Sequence, residues 1–202
     1  MKKAAILIAD GFEEIEALVP YDLLRRAGIT TVLVNVQDQK SAMGANGLTI
    51  DTPVELRGYD FEIADALIVP GGDAWSVFKN NPLVVDEIRS FAADPKKTLG
   101  AICAGSALVG QLGLYKGKDY VCIPQMNEDS FDGTFEKKQA VIDGNLVSGI
   151  SVGGAFEFAF DLVEKILDKK AADKLKRKSA TSSETACKTS SHKLKSIMGP
   201  SF

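Results

Sequence analysis

The sequence predicts an α/β fold in which a mostly parallel sheet is sandwiched between helices. Three observations predict it. Short aliphatic runs alternate with amphipathic stretches, the composition of 45% apolar and 25% charged residues is that of one soluble domain, and no internal repeat or linker breaks the domain. Lys3 to Ala9 reads as the first strand. It follows Met1-Lys2-Lys3 and so imitates a signal peptide, but the run stops at Asp10 and no small-residue cleavage site follows, which favours a buried strand. Glu13 to Ala27 is the first helix. Thr31 to Val36, Ala66 to Val69 and Thr98 to Ile102 are further runs of the kind covered on both faces in a parallel sheet. Pro82 to Ala93 and Ala104 to Leu112 are the helices between and after them, giving right-handed βαβ units. Gly44 to Gly47 lies between Ser41-Ala42-Met43 and Leu48-Thr49-Ile50 as the turn of a small hairpin, and Asp143-Gly144-Asn145 turns a second. A last helix runs from about Gly154 to Asp168, with Phe156, Phe160, Val163 and Leu167 expected to pack on the sheet.

Charge divides the chain. The net charge of -3 hides 15 Lys and Arg against 25 Asp and Glu in residues 1–168, and 9 against 2 beyond. Residues 1–170 are therefore expected to form the domain and 171–202 a basic tail. From Lys178 to Phe202 the chain is rich in Ser, Thr and Lys and lacks periodicity, the composition of a disordered segment. Such a tail could meet nucleic acid by charge alone, but no aromatic lies among its lysines before Phe202, so no specific nucleic-acid partner is expected. The longest apolar runs, such as Ala66 to Pro70, fall far short of the roughly 20 residues of a membrane span. Cys103, Cys122 and Cys187 form no CxxC and leave one thiol unpaired under any single disulfide, which fits a reducing cytoplasm. With His192 as the single histidine, a histidine-rich metal site is excluded, as is Ser/His/Asp or Cys/His machinery unless the last dozen residues supply it. No metal or cofactor is expected. Gly105 to Gly110 has the spacing of a phosphate loop, but Gln111-Leu112 stands where Lys and Ser or Thr are required.

In an open α/β sheet, ligands bind beyond the carboxyl ends of the strands. Three of those ends are unusual: Asp10 to Glu16, Pro70-Gly71-Gly72-Asp73, and Ala101 to Ser106. At the last, Cys103 falls on a strand-to-helix turn among small residues, the arrangement of a nucleophile elbow with cysteine in place of serine. The helix N-terminus there offers N–H groups and is expected to lower the thiol pKa. From position alone Cys103 reads equally well as a small buried hydrophobe. Cys122 reads as buried in a strand-like Tyr120 to Ile123, and Cys187 has nothing to activate it. On the first helix, the stripe of Ile15, Leu18, Val19 and Leu23 leaves Glu16 on its flank, where a carboxyl against apolar surface has a raised pKa. Glu13 and Glu14 read as exposed acids favoured by the helix dipole.

Gly11-Phe12-Glu13-Glu14-Ile15-Glu16, Arg25-Arg26-Ala27-Gly28, Val69-Pro70-Gly71-Gly72, Ala101-Ile102-Cys103-Ala104-Gly105 and Phe156-Glu157-Phe158-Ala159 together resemble the ThiJ/PfpI superfamily, in its branch of Parkinson-disease-associated deglycases. The resemblance covers about residues 3 to 168. It implies a flavodoxin-like three-layer sandwich, as in class I glutamine amidotransferases, and a homodimer. It also implies Cys103 as reactive cysteine, Glu16 as the protonated carboxyl against the sulfur, and Gly72 and Ala104 as backbone N–H donors. Implied activities are glutathione-independent conversion of methylglyoxal-like aldehydes to hydroxy acids, removal of early glycation adducts, redox sensing and chaperoning. In two places the chain departs from the pattern. Ile123 precedes Pro124 where a relative has histidine, and Asn46 stands where it has arginine. These put histidine-assisted proton transfer and an anion-binding part of the pocket in doubt. Besides the enzyme, a redox sensor resting at Cys103 sulfinate is the main alternative; a peptidase would need a histidine beside the cysteine.

Overall fold

The computed structural model of the chain describes residues 1–52 and 54–179. In chain order its elements are β1 (Lys3–Ile8), α1 (Glu14–Arg26), β2 (Thr30–Asn35), β3 (Ser41–Met43), β4 (Thr49–Asp51), β5 (Val54–Glu55), β6 (Ala66–Val69), α2 (Ala74–Lys79), α3 (Pro82–Ala93), β7 (Thr98–Ile102), α4 (Ala104–Gln111), β8 (Asp119–Tyr120), β9 (Thr134–Phe135), β10 (Ala140–Asp143), β11 (Leu146–Gly149), α5 (Ala155–Ile166) and α6 (Lys169–Ser179). Seven strands join in one sheet in the order β10-β11-β7-β6-β1-β2-β5, all parallel except the antiparallel pair β10/β11. β6 and β7 are buried at every residue, because helices cover both faces. One layer holds α1 packed on α5 and α5 on α6; the other holds α2 packed on α3 and α4. This is the flavodoxin-like sandwich. The chain runs from β1 to β2 on one side, then crosses to β6 on the other side of β1, so the switch point lies between β1 and β6.

Local chemistry explains the elements. Asn81 caps α3 by accepting a hydrogen bond from the Leu83 N–H at 3.1 Å, with Pro82 at the first helical position, where its missing N–H costs nothing. The hairpins form as expected, β3 against β4 and β10 against β11.

Four expectations need correction. On α5 the buried stripe is Ala155, Phe158, Ala159, Leu162, Val163 and Ile166, whereas Phe156 is 57% and Leu167 38% exposed. The helix is apolar on several faces, and the bare backbone of Gly100 in β7 selects the face that carries Phe158 and Leu162. On α1 the buried residues are Glu16, Ala17, Pro20, Leu23 and Leu24. That face is about 120° round the helix from the one expected, so Ile15 is exposed and Glu16 lies in the buried stripe rather than on its flank. The domain also runs past residue 170. α6 buries Ala172 and Leu175 and ties Lys176 to Glu157 of α5 at 2.8 Å. Its many charges conceal that short stripe. Residues 180–202, with Cys187, His192 and most of the expected tail, lie outside the described residues. Finally, β8 stops at Tyr120, and residues 121–123 are irregular.

Candidate active site

The three unusual strand ends meet. Phe12 pairs with Gly72 in an isolated antiparallel bridge, the Glu13 N–H donates to Gly71 O at 3.2 Å, and the Ala74 N–H donates to Gly11 O at 3.2 Å. Gly72 has φ of 76°, the left-handed region that glycine enters without strain. Gly71 is required for a different reason. A Cβ there would lie 2.6 Å from Glu16 Oε2, 2.8 Å from Cys103 Cβ and 2.9 Å from Ala104 N, so only a bare backbone leaves room for the carboxyl and the thiol-bearing elbow side by side.

Cys103 stands between β7 and α4 with φ of 59° and ψ of -125°, and is 7% exposed. A non-glycine residue held there stores on the order of 1–3 kcal/mol of strain, which the surrounding bonds must offset. Its N–H donates to Gly149 O at 3.0 Å, and its carbonyl accepts from the Ala107 N–H at 3.1 Å and the Ile123 N–H at 3.4 Å. The backbone N–H groups of Ala104 and Gly72 point at the sulfur. Glu16 is fully buried; its Oε2 accepts from the Gly71 N–H at 2.9 Å, and its Oε1 has no hydrogen-bond partner among the described residues.

Burial pushes the Glu16 carboxyl up to about 7, against the opposing hydrogen bonds with Cys103 and Gly71. Burial first, and the Glu16 carboxylate second, push the Cys103 thiol up to about 12. The expectation of an acidic thiol is therefore corrected. Two N–H groups favour the thiolate but are outweighed by desolvation and by the neighbouring carboxylate. The two groups face one another and titrate as a coupled pair, the carboxyl losing its proton before the thiol.

The pair forms the floor of a cleft of about 520 Å³ lined by Glu13, Gly72, Asp73, Trp75, Ala104, Ile123, Pro124, Gln125, Met126, Ser151 and Val152. Glu13 is thus no mere exposed helix-start acid; it is half-buried, and burial and then Glu14 raise its pKa. Glu14 behaves differently. It is held by Asn46, whose backbone N–H and Nδ2 donate to its two oxygens at 2.7 and 2.8 Å. Asn46 pins the β3/β4 turn to α1 and lies outside the cleft lining, while Ile123 forms part of the wall. After Met126 the chain enters a turn outside the cleft lining in which Ser130, Phe131 and Asp132 all have positive φ, and the Phe131 ring lies over Gly110 of α4, where any side chain would overlap it. Among the described residues no three His, Cys, Asp or Glu side chains cluster as a metal requires, and no helix is long and apolar enough to cross a membrane.

Fold and site together define an α/β sandwich with a strained, buried cysteine at a strand-to-helix elbow and a buried carboxyl against it. The chain belongs to the DJ-1/PfpI family, whose family model matches residues 2–165. It is 31% identical to the protein DJ-1 homolog B of Arabidopsis thaliana over 160 residues, 78% of this chain but only 36% of that longer protein. Relatives at 27% and 26% identity are named a deglycase, in Thermococcus kodakarensis, and a putative cysteine protease, in Bacillus subtilis; the alignments cover 80% and 73% of this chain and 98% and 88% of those proteins. The crystal structure of the C103A mutant of a DJ-1 superfamily protein from Salmonella typhimurium superposes with a TM-score of 0.80 at 30% identity, covering 86% of this chain and 95% of that one. Oxidized Toxoplasma gondii DJ-1 superposes with 0.81 at 26% identity, covering 88% and 97%.

Proposed function

We propose that this protein is a cysteine-dependent, glutathione-independent glyoxalase- or deglycase-type enzyme acting on small α-oxoaldehydes such as methylglyoxal, in the cytoplasm and in the response to oxidative and carbonyl stress. The observation that carries this reading is the Glu16 carboxyl, fully buried and with one free oxygen, facing the Cys103 thiol across Gly71. As the sulfur adds to the aldehyde carbon, the thiol proton passes to Glu16, and the new oxyanion is held where the Ala104 and Gly72 N–H groups converge. Glu16 returns that proton to the oxygen, completing the hemithioacetal. Its carboxylate then takes the proton from C1 and delivers it to C2 through an enediol, so that C1 is oxidised to a thioester and the ketone at C2 reduced to an alcohol. Water cleaves the thioester, releasing lactate and restoring the thiol. The sum is methylglyoxal plus water to lactic acid. No histidine is needed, and the described residues contain none.

The relative named a deglycase supports the carbonyl chemistry. A peptidase reading, suggested by the relative named a protease, finds no imidazole beside the sulfur among the described residues, where Ile123 forms that wall. A redox sensor remains the second reading. The N–H groups and Glu16 that would hold an oxyanion would hold a Cys103 sulfinate equally well, and one structural relative was solved in oxidized form. The proposal includes a homodimer, supported by a shallow apolar groove of Ile15, Leu18, Val19, Leu23 and Phe156 on the outer side of α1 and α5. The test is lactate formation from methylglyoxal without glutathione by the wild type and by Cys103→Ala. Turnover that survives the substitution overturns the enzyme reading.

A further inference from the structure

The cleft is one-sided in charge. Three carboxyl groups line it, Glu16 at the floor with Cys103, the half-buried Glu13, and the exposed Asp73 at the rim, while no Lys, Arg or His among the described residues does. Neither Glu13 nor Asp73 forms an ion pair among the described residues; the polar neighbour of Glu13 is Asn46, with Nδ2 at a long 3.4 Å. Among the described residues, the charged neighbours that act on the Cys103 and Glu16 charges are acidic: Glu16 on the thiol and Glu13 on the carboxyl. The cation set against a lining residue is Lys79, whose Nζ lies 5.3 Å from the Trp75 ring centroid and is engaged by Gln111 Oε1 at 3.1 Å. Glu13 and Asp73 each follow a partner of the bridge between Phe12 and Gly72, which sets both carboxylates in the cleft that holds Cys103. The remaining side chains of the lining carry no charge: Trp75, Ile123, Pro124, Met126 and Val152 are apolar, and Gln125 and Ser151 are neutral polar groups.

We infer that this cleft selects its substrate by charge, taking carbonyl compounds that bear an ammonium or guanidinium group over neutral ones and rejecting carboxylate-bearing ones, with Glu13 and Asp73 as the specificity-determining residues. The inference rests on reading the cleft as the carbonyl site. The two carboxylates attract a cation at the rim while its carbonyl end reaches the sulfur, and Glu16 Oε1, unpartnered, faces that end as proton donor or acceptor. An anionic substituent at the rim meets the same two carboxylates as repulsion and finds no cationic side chain among the described lining residues to offset its lost hydration. At about 0.1 M salt the screening length is roughly 10 Å, so charges across a cleft of this size still act on one another.

The test uses two methanethiosulfonates of opposite charge, trimethylammonioethyl and sulfonatoethyl, on the full-length protein. Each transfers its thioalkyl group to the Cys103 sulfur, forming a mixed disulfide and releasing methanesulfinate, so the readout needs no turnover. Rates at Cys103, followed by peptide mapping and divided by those with N-acetylcysteine amide, should favour the cation at least about tenfold at low salt. That ratio should shrink toward one at 0.5 M salt, and in Glu13→Gln with Asp73→Asn. A wild-type ratio within about twofold of one, a ratio unmoved by salt and by the double substitution, or no reaction of Cys103 with either reagent overturns the inference. Turnover of phenylglyoxal and of its para-trimethylammonio and para-carboxy derivatives completes the test. The order cation, neutral, anion is expected, and equal rates for the three overturn the inference for substrates. A charge-selective thiol with no turnover of any of the three overturns the enzyme reading and leaves the charge selection supported.

Discussion

Two thiols sit within one residue of a shared backbone hydrogen bond and differ in everything except acidity. Cys103 and Cys122 are both buried, and both are pushed up to about 12. For Cys122 burial is the whole cause, and its sulfur faces the carbonyl of its neighbour Ile123 at 3.5 Å. Cys103 has a strained backbone, two N–H groups aimed at its sulfur, an open cleft above it and a carboxyl to take its proton. The contrast teaches that two thiols pushed up alike by burial can still differ in setting: Cys103 has a carboxyl and N–H groups at its sulfur and a cleft above it, and Cys122 has none of these among the described residues.

The largest test of that contrast is substitution of each thiol. Cys103→Ala should lower methylglyoxal turnover by at least about 1,000-fold, the scale of a lost nucleophile, whereas Cys122→Ala should keep kcat/KM within about threefold. Next comes the proton acceptor. Glu16→Gln should cost at least about 100-fold in kcat. In the wild type kcat should rise with pH through about 7, where Glu16 ionises, and this limb should vanish in the variant; a limb that survives Glu16→Gln would assign it to another group.

The same carboxyl has a thermodynamic signature that Cys122 lacks. Its folded-state pKa, about 7, lies above its ordinary 4.5, so its ionisation weakens the fold progressively from pH 4.5 to 7 and fully above. Glu16→Gln should therefore raise unfolding free energy by up to about 3 kcal/mol at pH 8 and leave it unchanged at pH 4. Urea titration at both values checks the sign. The smallest expected difference is in oxidation. Mild peroxide should modify Cys103 about tenfold faster than Cys122, adding two oxygens, because only Cys103 has donors for the resulting anion. Peptide mapping that finds Cys122 oxidised first breaks the comparison.

Much of this was legible in the sequence. The parallel sheet was readable because its strands are aliphatic runs bounded by loops, and the position of Cys103 followed from the boundary between Ile102 and Ala104. Glu16 was found for a partly mistaken reason. The stripe of Ile15, Leu18 and Val19 is the outward apolar face, and the inward one is carried by Ala17 and Pro20, which score weakly as hydrophobic. The turn after the cleft wall was not readable at all. Its left-handed backbone is made by Ser130, Phe131 and Asp132, and no residue there signals that geometry as glycine would. Nor was the raised thiol pKa, since the helix terminus is visible in a sequence while the degree of burial that outweighs it is not.

The seating of Phe131 over Gly110 has a mechanical consequence. The turn of residues 130–132 and the elbow that carries Cys103 are both referenced to α4, one through a ring resting on the middle of the helix and the other through the turn that begins it. Two loops far apart in character thus share one support. A methyl group added at residue 110 would collide with the ring of Phe131 and force it, with the backbone that carries it, off the helix.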